Sequence, residues 1–407
     1  MPKSNERRAL VIGGSMSGLF AASLLARAGW TAEIYERAEA ELSGRGAGIV
    51  THAAMRAALR AAGCDPSRDL GIEVAGRKTL DRSGRVIGHY GCPQTLTSWD
   101  RVFRMLREKF PADRYHLGKE LQRIEQSAES VTAHFADGAQ AAADLIVGAD
   151  GFRSTVRTQI LPGVEPVYAG YVAWRGLVLE NALSPATHAD LFDALVFGLP
   201  PGEQCLSYPV AGPDNDLRPG HRRCNFVWYR PVPAPELRRM LTDAAGHVHA
   251  LGIPPPLVRG EVIAELRAVA AALLPPQLEE VIRQTARPFL QPIYDVETPR
   301  MAVGRVALMG DAAFLARPHV AAGVTKAAED ALALAGALQS NGALDRALKQ
   351  FETARMSINR QVMQRGRDLG TYLQPYLTSS DDRRKAEQHG TPQAVMSEIA
   401  VLDFLEG

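Results

Sequence analysis

The sequence predicts an α/β chain: a parallel-sheet domain assembled from separated segments, a second and mostly β-sheet domain inserted into it, and helices closing the C-terminus. Three observations predict it. Residues 8–37 read as strand, glycine turn, helix, strand. Two later apolar runs, Leu145-Ile146-Val147 and Val306-Ala307-Leu308-Met309, lead into Gly148-Ala149-Asp150-Gly151 and Gly310-Asp311. Between them lies a proline-punctuated stretch of β-like runs. Short apolar runs bounded by turn residues have the length and texture of buried parallel strands.

Taken in order, Ala9 to Ile12 form the first strand, and Gly13, Gly14 and Gly18 carry the chain into a helix that buries Leu19, Leu24, Leu25 and Ala28. Gly29 stops that helix, and Thr31 to Tyr35 form a strand ending at Glu36, 18 residues past Gly18. The pattern is a Rossmann-like dinucleotide fingerprint with Ser15 in place of the middle glycine. Backbone N–H groups at the positive helix end suit a pyrophosphate, and a carboxylate at the next strand end suits ribose hydroxyls. Any strand–turn–helix would share the glycines alone; the acid and the flanking strands separate this one from that background.

Residues 38–50 place Gly44, Gly46 and Gly48 around Arg45 and read as a loop. A helix from about His52 to Ala62 follows, capped by Gly63; 72–80 and 85–90 form a hairpin, and Trp99 to Phe110 a helix with Val102, Phe103, Leu106 and Phe110 inward. Short strands at 115–117, 120–124 and 131–135 precede the Leu145 strand, and a short helix at 154–157 follows it. The inserted region carries strands at 171–179, 194–199, 204–210 and 223–230 and helices near 235–250 and 258–272. Trp174, Trp228 and Tyr229 read as sheet core rather than as a stacking platform. The strand at Val306, a helix at 325–339 and a helical tail at 344–374 complete the first domain. The predicted division is 1–75, 101–165 and 299–374 for the nucleotide-binding domain, 76–100 and 166–298 for the sheet domain, and 375–407 as a polar extension.

Bulk properties narrow the partners. With 46 basic and 45 acidic residues the net charge is +1, so no overall field favours nucleic acid or an anionic membrane. Cys64, Cys92, Cys205 and Cys224 show no metal or disulfide spacing and read as free thiols of a cytoplasmic protein. No apolar stretch approaches the roughly 20 residues of a membrane span.

In this order, the glycine turn with its acid, GADGFRSTVR and GDAAFLARPHVAAGVTKAAEDA resemble the single-component FAD-dependent aromatic hydroxylases over about residues 8–355. Within that family GGSMSGL, LSGRGAGIV, YAGYVAWRG and RPHVAAGVTKA are most similar to members that hydroxylate dihydroxypyridines. The resemblance implies that Gly13, Ser15, Ser17 and Gly18 face the FAD pyrophosphate, that Glu36 and Arg37 hold the adenosine ribose, and that Leu121 lies near adenine. It implies that Val50 touches the cofactor, that Gly310 and Asp311 meet the ribityl chain, and that Gly323 and Val324 meet the isoalloxazine ring. Asp150 belongs to a motif linked with both FAD and NAD(P)H. One departure is Asp100, where relatives place an arginine that reaches the FAD phosphates; Arg101 or Arg104 takes over, or the contact is absent.

The implied chemistry is hydroxylation of an electron-rich hydroxypyridine-type ring with NADH or NADPH and O2 through a C4a-hydroperoxyflavin, with no metal. A group that helps deprotonate the ring would assist, and His319, Tyr208 and His52 are the candidates. Each has a bland alternative: loop packing for His319, sheet packing for Tyr208, and an exposed helix start for His52, which its position favours. Two rival functions stay open, a flavin hydroxylase or oxidase acting on a phenolic or biosynthetic aromatic, and a nucleotide-binding protein without catalysis. The lysine context of flavin halogenases is not seen. A homodimer is left open.

Overall fold

The computed structural model describes residues 7–42 and 48–405, so Gly44, Arg45 and Gly46 lie outside the described residues. Arg8–Ile12 forms the centre of a six-stranded sheet, paired in parallel with Thr31–Tyr35 on one side and Leu145–Gly148 on the other. Val306–Leu308 and Tyr115–His116 extend it in the same direction, and Ala302–Val303 closes one edge antiparallel. Five strands therefore end on one edge, which brings Gly13, Glu36, Asp150 and Gly310 together from across the sequence. The strands are mostly buried and apolar because helices and a small antiparallel sheet (Leu121–Gln126, Val131–Phe135, Gln140–Ala143) share their core. Tyr115–His116 is thus a parallel edge strand, not a member of the small sheet with which the sequence groups it.

A nine-stranded sheet forms the second layer, in the order Phe314–Leu315, Phe289–Glu297, Val167–Leu179, Arg223–Pro231, Gln204–Val210, Ala194–Gly198, Ile72–Leu80, Val86–Ser98, Gly48–Val50. One face buries Trp174, Phe226 and Trp228 against helices Gly260–Leu273 and Pro276–Gln284. The opposite face carries Tyr171, Leu206, Tyr208 and Tyr229 and meets the loop at Val320 and Ala322.

Two expectations need correction. The helix expected over 235–250 spans only Ala234–Met240, because the chain turns at Gly246 and Thr242 bridges back to Val248. Tyr229 is buried in the sheet core as expected, on the face opposite Trp228 and toward His319, as strand alternation requires. The segment expected as an extension from 375 packs on the molecule over residues 375–405: helices Ser380–His389 and Pro392–Glu398 fold back, and Val395, Met396 and Ile399 are buried on the sheet.

Candidate active site

The edge where the parallel strands end is built by close backbone approach. Gly13 has φ +106°, and a Cβ there would lie 2.5 Å from the Ala149 carbonyl oxygen; a Cβ on Gly18 would lie 1.8 Å from that of Gly13. Glu36, nearly buried, accepts hydrogen bonds from the Gly14 N–H (2.7 Å) and the Ala38 N–H (2.9 Å), so the acid braces the glycine turn. Ser15 starts helix Met16–Arg27 without capping it through its side chain, and Arg37 is exposed. The Ser17 hydroxyl is buried without a partner and lies 2.5 Å from where a Gly310 Cβ would be. The first turn of the helix and the Gly310-Asp311 turn are therefore neighbours.

Asp150 spends its oxygens locally. It accepts from Ser154 Oγ (2.5 Å) and the Val156 N–H (3.1 Å), holding the start of helix Thr155–Ile160 rather than pointing free at a ligand. Burial raises its pKa. Arg157, fully buried, donates to the carbonyls of Phe152 (2.6 Å) and Ala312 (3.1 Å), tying this turn to the one at Asp311.

Behind Asp311 lies a charge cluster that sequence reasoning missed. Asp330 is fully buried and accepts from Arg355 Nε (2.7 Å), Asn359 Nδ2 (3.1 Å) and the Gly310 N–H (3.0 Å). Lys326 Nζ stands 3.7 Å from Asp330, buried and without a hydrogen bond. Burial pushes the Asp311 pKa up, Lys326 pulls it down and Asp330 pushes it up. The Lys326–Asp330 spacing of four along helix Gly323–Ser340 was the available signal. That helix begins with Gly323 exposed, Val324 half-buried and no side-chain cap, which leaves first-turn N–H groups for a ligand.

Across from this edge, the open face of the large sheet carries the candidate chemistry. His319 is buried, with Nε2 2.8 Å from the Tyr171 hydroxyl, its ring 4.6 Å from that of Tyr229, and Nδ1 without a partner. Burial, reinforced by the charges of Arg317 and Arg175, pushes its pKa down to about 3, so the imidazole is neutral at pH 7. His52 is half-buried, correcting the exposed alternative: it precedes helix Ala53–Ala61 and lies against the Ala321 backbone, with Nε2 unpartnered and its pKa lowered by burial. Tyr208 is buried, and burial keeps its phenol protonated. A Cβ on Gly48 would lie 2.3 Å from the Tyr208 ring, so glycine lets the strand Gly48–Val50 pass close to it. Val50, buried on this side, ends the same short strand, whereas Leu121 is buried at the start of the small sheet. Arg101 donates to the Asp69 carbonyl and Arg104 pairs with Asp100 at 2.9 Å.

Comparison with known proteins decides the family. A family described as "FAD binding domain" matches residues 6–196, and "FAD binding domain-like" matches 168–295. The chain is 33% identical to 2,6-dihydroxypyridine 3-monooxygenase of Paenarthrobacter nicotinovorans, over 90% of this chain and 91% of that one. It belongs to the FAD-dependent aromatic monooxygenases. A second relative, 3-amino-4-hydroxybenzoate 2-monooxygenase of Streptomyces cremeus, is 30% identical, covering 94% of this chain and 93% of the other. The solved structure of 2,6-dihydroxypyridine-3-hydroxylase from Arthrobacter nicotinovorans superposes with a TM-score of 0.86 at 30% identity, covering 93% of this chain and 96% of that one.

The residues present fit the FAD expected of such a monooxygenase. The glycine turn leaves no room for side chains beside a closely approaching ligand, and Ser17 Oγ, Thr325 Oγ1 and Lys326 Nζ are buried polar atoms that lack partners beside the converging strand ends. Buried donors left unmade cost about 1–3 kcal/mol each, a debt a polar ligand cancels. The monooxygenase also has a feature invisible in a sequence scan: the C-terminal segment closes over the sheet. The Ala400 N–H donates to the His319 carbonyl (2.8 Å), and Arg77, fully buried, donates to the carbonyls of Met396 (2.7 Å) and Ile399 (2.6 Å).

Proposed function

We propose that the chain hydroxylates an electron-rich, hydroxypyridine-type N-heteroaromatic ring, using NADH or NADPH and O2. The observation that carries this reading is a set of buried polar atoms without partners beside an apolar wall on the sheet's open face: Arg175 Nε, Asn225 Nδ2, His319 Nδ1 and His52 Nε2. A small aromatic ring edged with acceptors satisfies such a set, and the likeness to a dihydroxypyridine monooxygenase agrees with it.

Bound FAD would supply the redox chemistry, passing electrons from the nicotinamide to O2. Gly13, Ser15, Ser17 and Gly18 would bind its pyrophosphate, Glu36 and Arg37 its ribose, with Leu121 near the adenine. Gly310 and Asp311 would hold the ribityl chain, Gly323, Val324 and Val50 would border the ring, and Asp150 would support the turn between them. Tyr208, kept protonated, would donate to a ring oxygen, and His319 and His52 would orient the ring as neutral hydrogen-bonding groups. The covering C-terminal segment would exclude water.

The test is a panel of hydroxypyridines, hydroxynicotinates and phenols added to FAD-loaded protein, scored for stimulated NAD(P)H oxidation with product identified by mass. Stimulation and a hydroxylated product are expected from hydroxypyridines. A response confined to phenols such as aminohydroxybenzoates would move the reading to the phenolic alternative, which the second relative represents.

A further inference from the structure

We propose that Arg175 is the substrate-activating and specificity-determining residue of this site: it holds the aromatic ring as its oxygen anion, so the site recognises an ionised ring. This rests on the reading of the site as an aromatic-ring hydroxylase.

The argument begins with where the strand puts it. Along Val167–Leu179, Trp174 and Val178 face the helix-covered side, so Tyr171, Ala173 and Arg175 face the open side. Arg175 lies directly opposite Val227, with Asn225 and Tyr229 flanking that position on the same face. Its guanidinium reaches the Tyr229 hydroxyl, and its charge is felt at Tyr208 and at His319. One cation therefore looks onto Tyr208, Tyr229 and His319.

That cation is uncompensated. Among the described residues no carboxylate pairs with Arg175, and its Nε is buried without a partner. The other cations here are spent. Arg317 pairs with Asp295 at 3.1 Å, Arg77 is bound by two carbonyls, and Arg223 donates to the Ala211 carbonyl. Beside Arg175, Asn225 accepts from the Gly48 N–H through Oδ1, which leaves its buried Nδ2 as a second unpartnered donor on the same face of the sheet. A half-buried, unpaired guanidinium next to a free amide donor suits an anion whose charge sits on an oxygen.

Burial weakens the surrounding groups as bases. The neighbouring imidazoles, His319 and His52, are held neutral by burial, and Tyr171, Tyr208, Tyr229 and Tyr372 are held protonated by it. A fixed positive charge achieves the same activation differently. It lowers the ring hydroxyl's pKa, the proton passes to bulk solvent before the ring is enclosed, and the retained charge raises electron density at the ring carbons. An opposite charge within about 4–6 Å lowers such a pKa by about 1–3 units.

The test uses FAD-loaded enzyme and 2,6-dihydroxypyridine, with binding followed across pH by the flavin absorbance change. In wild type the bound ring is expected to ionise at least about one pH unit below the free ring. Arg175→Gln is expected to weaken binding of the ionised ring by about ten- to a hundredfold and to abolish the downshift, with Arg175→Lys recovering part of both. Should Arg175→Gln fail to fold, wild type alone decides: 2,6-dimethoxypyridine, which cannot ionise, is expected to bind at least about tenfold more weakly. Normal binding with no downshift, or equal affinity for the two rings, overturns the assignment of Arg175 while leaving the hydroxylase reading standing. No binding of any hydroxypyridine overturns both.

Discussion

His319 illustrates how burial redefines a residue's role. In the sequence it is a candidate base, but enclosed between Tyr171 and Tyr229, with Arg317 and Arg175 nearby, it is a neutral hydrogen-bonding group. The consequence for stability has a definite sign. In the unfolded chain the imidazole takes a proton near its ordinary 6.5, whereas in the folded chain it does so only near about 3. Its contribution is present above pH 6.5 and is lost as pH falls toward 3, at up to about 1.4 kcal/mol per pH unit. His319→Gln is accordingly expected to flatten the acid limb of a stability-versus-pH curve measured by denaturant melts. It should also raise the fraction of NAD(P)H oxidation that ends as peroxide. An acid limb as steep as that of wild type would contradict the buried, neutral imidazole. Glu36 shows a different case: its place at the end of the second strand marks it for ribose hydroxyls, and the structure has its carboxylate accepting from the N–H groups of Gly14 and Ala38.

At the scale of elements, the parallel strands and their ends could be read from short apolar runs closed by Gly and Asp, because both sheet faces are covered and the pattern is continuous. The same continuity hid the sheet's open face. In Tyr171-Val172-Ala173-Trp174 and Phe226-Val227-Trp228-Tyr229 every residue is apolar or aromatic, so alternation leaves no mark showing which side chains look toward the site. The C-terminal segment was illegible for another reason: its helices are polar, and it docks by a few apolar residues and by carbonyls that Arg77 gathers from a strand more than 300 positions earlier. Arg77→Met leaves those carbonyls without their charged donor and is expected to destabilise the protein by about 1.5–3 kcal/mol. It should also increase peroxide release as water reaches the sheet face. Thermal melts and a peroxide assay check this; unchanged values in both would mean that the segment does not seal the site.

The whole molecule reads as two layers whose functional surfaces come from distant stretches of chain. Ser17 meets Gly310, Gly48 meets Tyr208 and Asn225, and Ala400 meets His319. Sequence order conveys the first of these meetings, because parallel strands end on a common edge. The others depend on how the second layer stacks, which no local pattern encodes. On the proposed function, this assembly inserts oxygen from O2 into an aromatic ring. The direct measurement is mass analysis of the product formed by FAD-loaded enzyme, NAD(P)H and 2,6-dihydroxypyridine under ¹⁸O2. Incorporation of one labelled oxygen into the ring is the predicted result. NAD(P)H consumption with all of the label appearing as peroxide, or a product whose new oxygen derives from water, would contradict it.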